Sequence, residues 1–278
     1  MPNTGEKPSM DNNKSTPTFK ESFVHTHKDT KPKSPVLVMG LPGIGLVSKL
    51  AVDHTVKVLN AKKIASLYSP AFFNQTLALK NGKLKPFTLK FYHVPNAKHD
   101  LVILRGELQP LTVEGQYEVT SKVLEYFTKT LEGKLVFAMA GYAVQKKIEK
   151  PILYGASTHN VLFQKLAKHG VKPPEQHVPI VGMAGLVPGL APLYGAAGAT
   201  LLVETPGNQV DAKGAQRLID FLSSFTGHKI DTKELEKRAK KMEEMLKKAE
   251  SPQAPEAPRA ATPKTEEILK RETLSYIR

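Results

Sequence analysis

Val36-Leu-Val-Met-Gly-Leu-Pro-Gly-Ile-Gly-Leu-Val-Ser48 decides the reading of this chain. Five apolar or small residues run into a turn with glycine at 40, 43 and 45, and a helical pattern follows with Leu46, Leu50 and Val58 on one side. Strand, glycine turn and helix is the unit from which α/β proteins are built, and the same unit holds phosphate in nucleotide-binding proteins. The working residues of those sites are missing. A Walker loop places lysine and a hydroxyl after its last glycine, where this chain has Leu46 and Val47. The dinucleotide pattern fits only as Gly43, Gly45 and Ser48, and the next strand, ending Leu67-Tyr68, offers no acid for a ribose. Pro42 removes one amide donor. The turn therefore reads first as a packing device, in which glycine lets the helix lie close on the strand.

Outward from this stretch, apolar segments alternate with helical ones. Strands are expected at 63–68, 100–104, 135–139, 179–183 and 199–204. Segments 76–80 and 87–92 flank Asn81-Gly82 as a hairpin. Helices are expected at 113–131, 156–168 and 211–226, with a partly helical glycine-rich stretch from Leu186 to Gly198. Strands separated by helices imply crossover connections, hence a single three-layer α/β/α sandwich with a mostly parallel sheet. This domain is placed at 35–227, after a disordered N-terminal tail (1–34) that holds at most a short extended piece at Phe23-Val24. A charged helix covers 228–250, capped by Asp231 with Glu234. Its seam is Leu235, Ala239, Met242, Leu246 and Ala249. Residues 251–278 read as a Pro/Ala linker and a flexible tail.

Composition narrows the function. The 278 residues are 40% hydrophobic and contain no cysteine, which excludes disulfides, thiol nucleophiles and cysteine zinc sites. No apolar run is long enough for a membrane span and no secretory signal is evident, so a soluble cytoplasmic protein is expected. The net charge of +14 suits an acidic partner. Nucleic acid is not the expected partner, because the chain has no tryptophan and its aromatics do not alternate with arginines.

Catalytic constellations are weak. The nine histidines show no metal-ligand spacing, and His25 and His27 fall in the tail. No nucleophile elbow occurs. Glu107 and Glu114 flank the loop after the 100–104 strand, where Thr112 or Glu114 serves more simply as a helix cap. Gly182-Met-Ala-Gly185 forms a second glycine turn. Gly40, Gly43, Gly45, Gly182 and Gly185 together mark the candidate ligand pocket at the carboxyl ends of the strands. No cofactor, metal or catalytic residue is assigned.

Taken in order, GLPGIGLVS, Phe72-Phe73 before an Asn-Gly hairpin, a strand ending Ala140-Gly141, YGAST at 154–158, GMAGLVPGL, and a charged helix after Thr226-Gly227 resemble the proteasome assembly chaperone family in its archaeal branch, similar to proteasome assembly chaperone 2. The resemblance covers about residues 35–250. It implies a fold like that of nucleoside phosphorylases without a catalytic set, a homo-oligomer, and binding to the α-subunits of the proteasome core particle. It also implies a use for the C-terminus, because several members end in a hydrophobic-tyrosine-any tripeptide that inserts between α-subunits. Here the last residues are Tyr276, Ile277 and Arg278, with isoleucine where the tyrosine belongs. A small-molecule or nucleotide-dependent, ligase-like enzyme using the two glycine turns is the alternative, since relatives of the family lie near carboxylate–amine ligases.

Overall fold

A computed structural model describes residues 20–95 and 99–250. The strands in chain order are β1 (Phe23–Thr26), β2 (Val36–Gly40), β3 (Lys62–Tyr68), β4 (Thr76–Ala78), β5 (Leu84–Pro86), β6 (Leu89–Val94), β7 (Leu101–Arg105), β8 (Leu135–Ala143), β9 (Leu153–Ser157), β10 (Val171–Lys172) and β11 (Ala197–Thr205). The helices are α1 (Val47–Val58), α2 (Val113–Glu125), α3 (Asn160–Ala167), α4 (Met183–Leu190), α5 (Ala212–Thr226) and α6 (Leu235–Glu250). By contact density the chain divides into Met1–Ala239 and Lys240–Arg278.

Nine strands form one sheet in the order β1-β3-β6-β7-β2-β8-β11-β9-β10. The expected parallel arrangement is its centre: β2 pairs parallel with β7 and β8, and β8 with β11. The flanks join by antiparallel pairing, with β6 antiparallel to β7 and to β3, and β9 antiparallel to β11. β2 is buried along its whole length, as a strand covered on both faces must be. Its side chains alternate between two layers. Leu37 and Met39 join Val102, Leu104, Val136 and Ala138 under α2 and α4. On the other face Phe137 meets Phe221 and Phe225 of α5, at ring-centroid distances of 5.8 and 4.9 Å, and α1 packs beside α5. The result is the three-layer sandwich read from the sequence.

Helix ends follow local chemistry. Thr112 Oγ1 accepts from the Gly115 amide at 3.0 Å and caps α2, and Asp211 Oδ1 does the same for α5 through Gly214 at 3.0 Å. α5 closes at Gly227 in the left-handed conformation (φ 79°). α2 passes into a single π turn, Tyr126–Thr130, which completes the helical stretch expected to 131.

Five local expectations are corrected. The Asn81-Gly82 hairpin is β4 with β5, because a tight turn pairs its immediate flanks: the Leu79 amide donates to Lys83 O at 2.8 Å. Residues 89–94 instead enter the main sheet. Residues 153–157 form β9 and not the start of a helix, and α3 begins at Asn160. Residues 179–182 form no strand, because Pro179 has no amide to donate and Gly182 turns the chain at φ 78° into α4. α6 begins at Leu235, and Asp231 accepts from the Lys233 amide at 2.9 Å in the turn before it. Finally, β1 lies within the stretch read as a tail. It pairs antiparallel with β3 from Phe23–Tyr68 to Thr26–Ala65, and Ser22, fully buried, donates from its amide to Glu118 at 2.7 Å. Of the α6 seam, Leu235 and Ala239 are buried and Leu246 is exposed.

Candidate functional site

The two glycine turns meet at the carboxyl end of the parallel strands. After Gly40 the chain turns through Leu41-Pro42-Gly43 and a short 3-10 turn, Ile44–Leu46, into α1. Gln109, on the loop after β7, joins this turn to the second one: its Nε2 donates to Pro42 O at 2.7 Å, and its Oε1 accepts from the Met183 amide at 3.3 Å. Pattern reading passed over Gln109, because a lone glutamine in a loop carries no motif.

Four of the five marked glycines are fixed by contact. A Cβ on Gly40 would lie 2.4 Å from Ser48 O, and one on Gly45, itself at φ 62°, would lie 2.5 Å from Thr205 Oγ1. On Gly185 it would lie 2.3 Å from Ile180 O, and on Gly182 3.1 Å from Gln109 Oε1 at φ 78°. These contacts let turn and helix lie directly on the strands, as the sequence reading favoured. Gly43 differs: its backbone is extended and no atom lies within 4 Å of a Cβ placed there.

Gly43 faces a cleft of about 440 Å³, whose lining also includes Pro42, Gln109, Tyr142, Val178 and Ile180. Among the described residues its lining includes no carboxylate, imidazole or ammonium. The Ser48 hydroxyl, where a dinucleotide fingerprint would have its third small residue, donates to Leu41 O at 2.8 Å. A neighbouring hollow of about 340 Å³ shares Tyr142 and adds Tyr154 and Glu175. Below it Glu204 is 2% exposed and accepts from Lys146 Nζ at 2.7 Å, the Ile152 amide at 3.0 Å and Tyr154 Oη at 3.5 Å. Burial alone would raise its pKa, but the Lys146 hydrogen bond and the Ile152 amide outweigh that and hold it below the usual carboxylate range. It is a bound structural anion, not a free base.

The other sequence candidates do not assemble. Glu107 lies among Lys85 at 3.4 Å, Arg105 at 3.5 Å and Lys90 at 3.9 Å. Burial pushes it up, yet Lys90, Lys49, Lys85 and Arg105 bring it below its ordinary value. Lys90 is lowered to about 8, first by burial and then by Lys85 and Arg105, against the pull of Glu107. Glu114 is exposed in the first turn of α2. His25 belongs to β1 and His27 follows directly after it, with His27 Nε2 2.8 Å from Ser66 Oγ. Among the described residues no three histidines or carboxylates are grouped to hold a metal. Tyr276, Ile277 and Arg278 lie outside the described residues.

The class is an α/β/α sandwich whose glycine turns, Gly43 apart, are bound up in packing. The chain belongs to the PAC2 family, whose model matches residues 37–250. It is 32% identical over 245 residues to the uncharacterized protein MJ1210 of Methanocaldococcus jannaschii, a match that covers 87% of this chain and 94% of that one. Among solved structures it is similar to Pyrococcus furiosus PbaB, described as an archaeal proteasome activator, at 34% identity and TM-score 0.74, covering 84% of this chain and 100% of that one. Pyrococcus furiosus PbaA, described as an archaeal homologue of proteasome-assembly chaperone, shares the fold at 23% identity and TM-score 0.69, over 82% of this chain and 95% of that one. Members of the family are chaperones, not enzymes. Among the described residues no helix is long and apolar enough to cross a membrane.

Proposed function

We propose that this protein is a non-enzymatic, cytoplasmic chaperone or adaptor of the proteasome, acting as a homo-oligomer on the α-subunits of the core particle. The observation that carries the reading is the similarity to PbaB, which runs the full length of that proteasome activator at 34% identity. The basic balance of +14 supports it by speeding approach to an acidic partner surface. The mechanism would be multivalent: several subunits present their C-terminal segments together, and each weak contact raises the effective concentration of the next. Residues 251–264 suit a tether, since about 14 residues in proline-rich form reach roughly 40 Å. Co-purification with core-particle α-subunits, with the mass of the complex measured, is the test. Deleting Tyr276–Arg278 should largely abolish capture. Undiminished capture would move the contact to the globular surface, and no capture by the full chain would defeat the reading.

The open space at Gly43 favours one alternative, a small-molecule or nucleotide-dependent activity in the 440 Å³ cleft. Saturable thermal stabilisation by ATP, a nucleoside or phosphate, reversed by Gly43→Val, would establish it.

A further inference from the structure

At the opposite end of the sheet, Val36, Leu135 and Ala197, the first residues of β2, β8 and β11, form part of the lining of a groove of about 950 Å³. Its lining includes Val161 and Lys165 of α3 and Lys168 at that helix's C-terminal cap, spaced i, i+4 and i+7. Pro32, Glu132 and Lys134 also line it. Val161 is 65% exposed, and Phe225 and Leu162 add to the apolar lining. Among the described residues Lys134, Lys165 and Lys168 take part in no ion pair, and Glu132 is the one carboxylate of the lining. His159 and His169 contribute imidazoles, held through Nδ1 by Thr158 Oγ1 at 2.8 Å and Ser224 Oγ at 2.7 Å.

We infer that this groove binds an extended acidic peptide segment that carries apolar side chains between its carboxylates. The lysines would meet the carboxylates, and the apolar lining around Val161 would take up the alternate side chains, which point to the opposite face in an extended chain. Two other occupants fit less well. A second copy of this chain also carries +14, and a contact across a two-fold axis would set these lysines against each other. Single-stranded nucleic acid is held by stacked aromatics and arginine, whereas this lining contains no arginine and Phe225 as its lone six-membered ring among the described residues.

Anisotropy of a fluorescein-labelled peptide alternating glutamate and leucine, titrated with the full-length protein at about 0.15 M salt, tests the assignment. The double reversal Lys165→Glu/Lys168→Glu should weaken binding by about tenfold or more. Val161→Asp should weaken it too. Glu132→Gly should tighten it severalfold, since it removes the opposing charge at a position whose φ of 56° glycine adopts freely. The control Lys80→Glu/Lys83→Glu makes the same change of net charge on the β4–β5 hairpin and should leave affinity unchanged. Melting temperatures check that each variant is folded. Equal weakening by both reversals would reduce the effect to diffuse attraction and overturn the assignment. So would tighter binding of an oligothymidylate that displaces the peptide, or sedimentation showing that the reversals act by breaking a dimer. No proteasome subunit enters the assay, so it stands or falls apart from the core-particle reading.

Discussion

Gly40 and Gly43 are three residues apart in one turn and answer to different constraints. At Gly40 a methyl group would press on Ser48 O and on Val52, whose Cγ1 is 2.6 Å from the Cβ position. Gly40→Ala should therefore lower stability by about 1–3 kcal/mol in urea unfolding, as overpacking does. At Gly43 the space is open and the backbone extended, so Gly43→Ala should stay within about 0.5 kcal/mol of the parent. Sequence alone gave the three glycines equal weight. What separates them is the identity of the atom opposite each Cβ, and that atom belongs to a neighbour brought in by the fold. The same holds for Gln109, which ties Pro42 to Met183, and for Glu204, which reads only as the polar end of a strand until Lys146 and the Ile152 amide are beside it.

Among the elements, those with strong internal patterns were legible: the continuous apolar run of β2, and the helix α5 with Asp211 before it and Gly227 after it. The elements misread lack such a pattern. β9 holds Gly155-Ala-Ser157, residues with little strand preference, and is a strand because β11 pairs with it. Val113 and Tyr117 fall near the helical period of the core positions of α2, yet they are 66% and 49% exposed while Val119 and Val123 are buried. The packing of α1 also carries a pH prediction. His54 is fully buried, and its Nε2 donates to Asp231 O at 2.6 Å, which fixes the neutral tautomer with Nδ1 unprotonated. Burial first, and Arg238 beside it, lower its pKa below 6.5 against the opposing pull of the Asp231 carbonyl and of Asp231 and Glu234. The unfolded chain therefore takes up the proton more readily. The stability that His54 contributes is present above about pH 6.5 and falls as pH drops through the folded value. His228, also buried and lowered by burial, adds in the same sense. In thermal unfolding followed from pH 7 down to about 5, His54→Gln should lose less stability than the parent; an unchanged slope would assign the acid sensitivity elsewhere.

For the whole molecule, the sandwich was legible because alternating strands and helices leave few topologies. Its boundary was not, because β1 is four residues in a stretch rich in Lys, Ser and Pro. β1 covers the edge of β3 from Ala65 to Tyr68, stacks Phe23 on Tyr68 at 5.3 Å, and is preceded by Ser22, whose amide meets Glu118. A chain cut back to Pro35 should scatter light and aggregate where one lacking only residues 1–19 does not, because the open edge of β3 is a template for strangers. The parallel centre has a further consequence, in time rather than space. On the ribosome β3, β6 and β7 can zip together as neighbours in sequence, but β2 meets β8 through Val36 and Leu135, so its second border stays vacant until that later stretch has been made. The newborn chain thus exposes its greasiest ribbon longest, and a protein proposed to help others assemble would itself be most in need of shelter during its own synthesis.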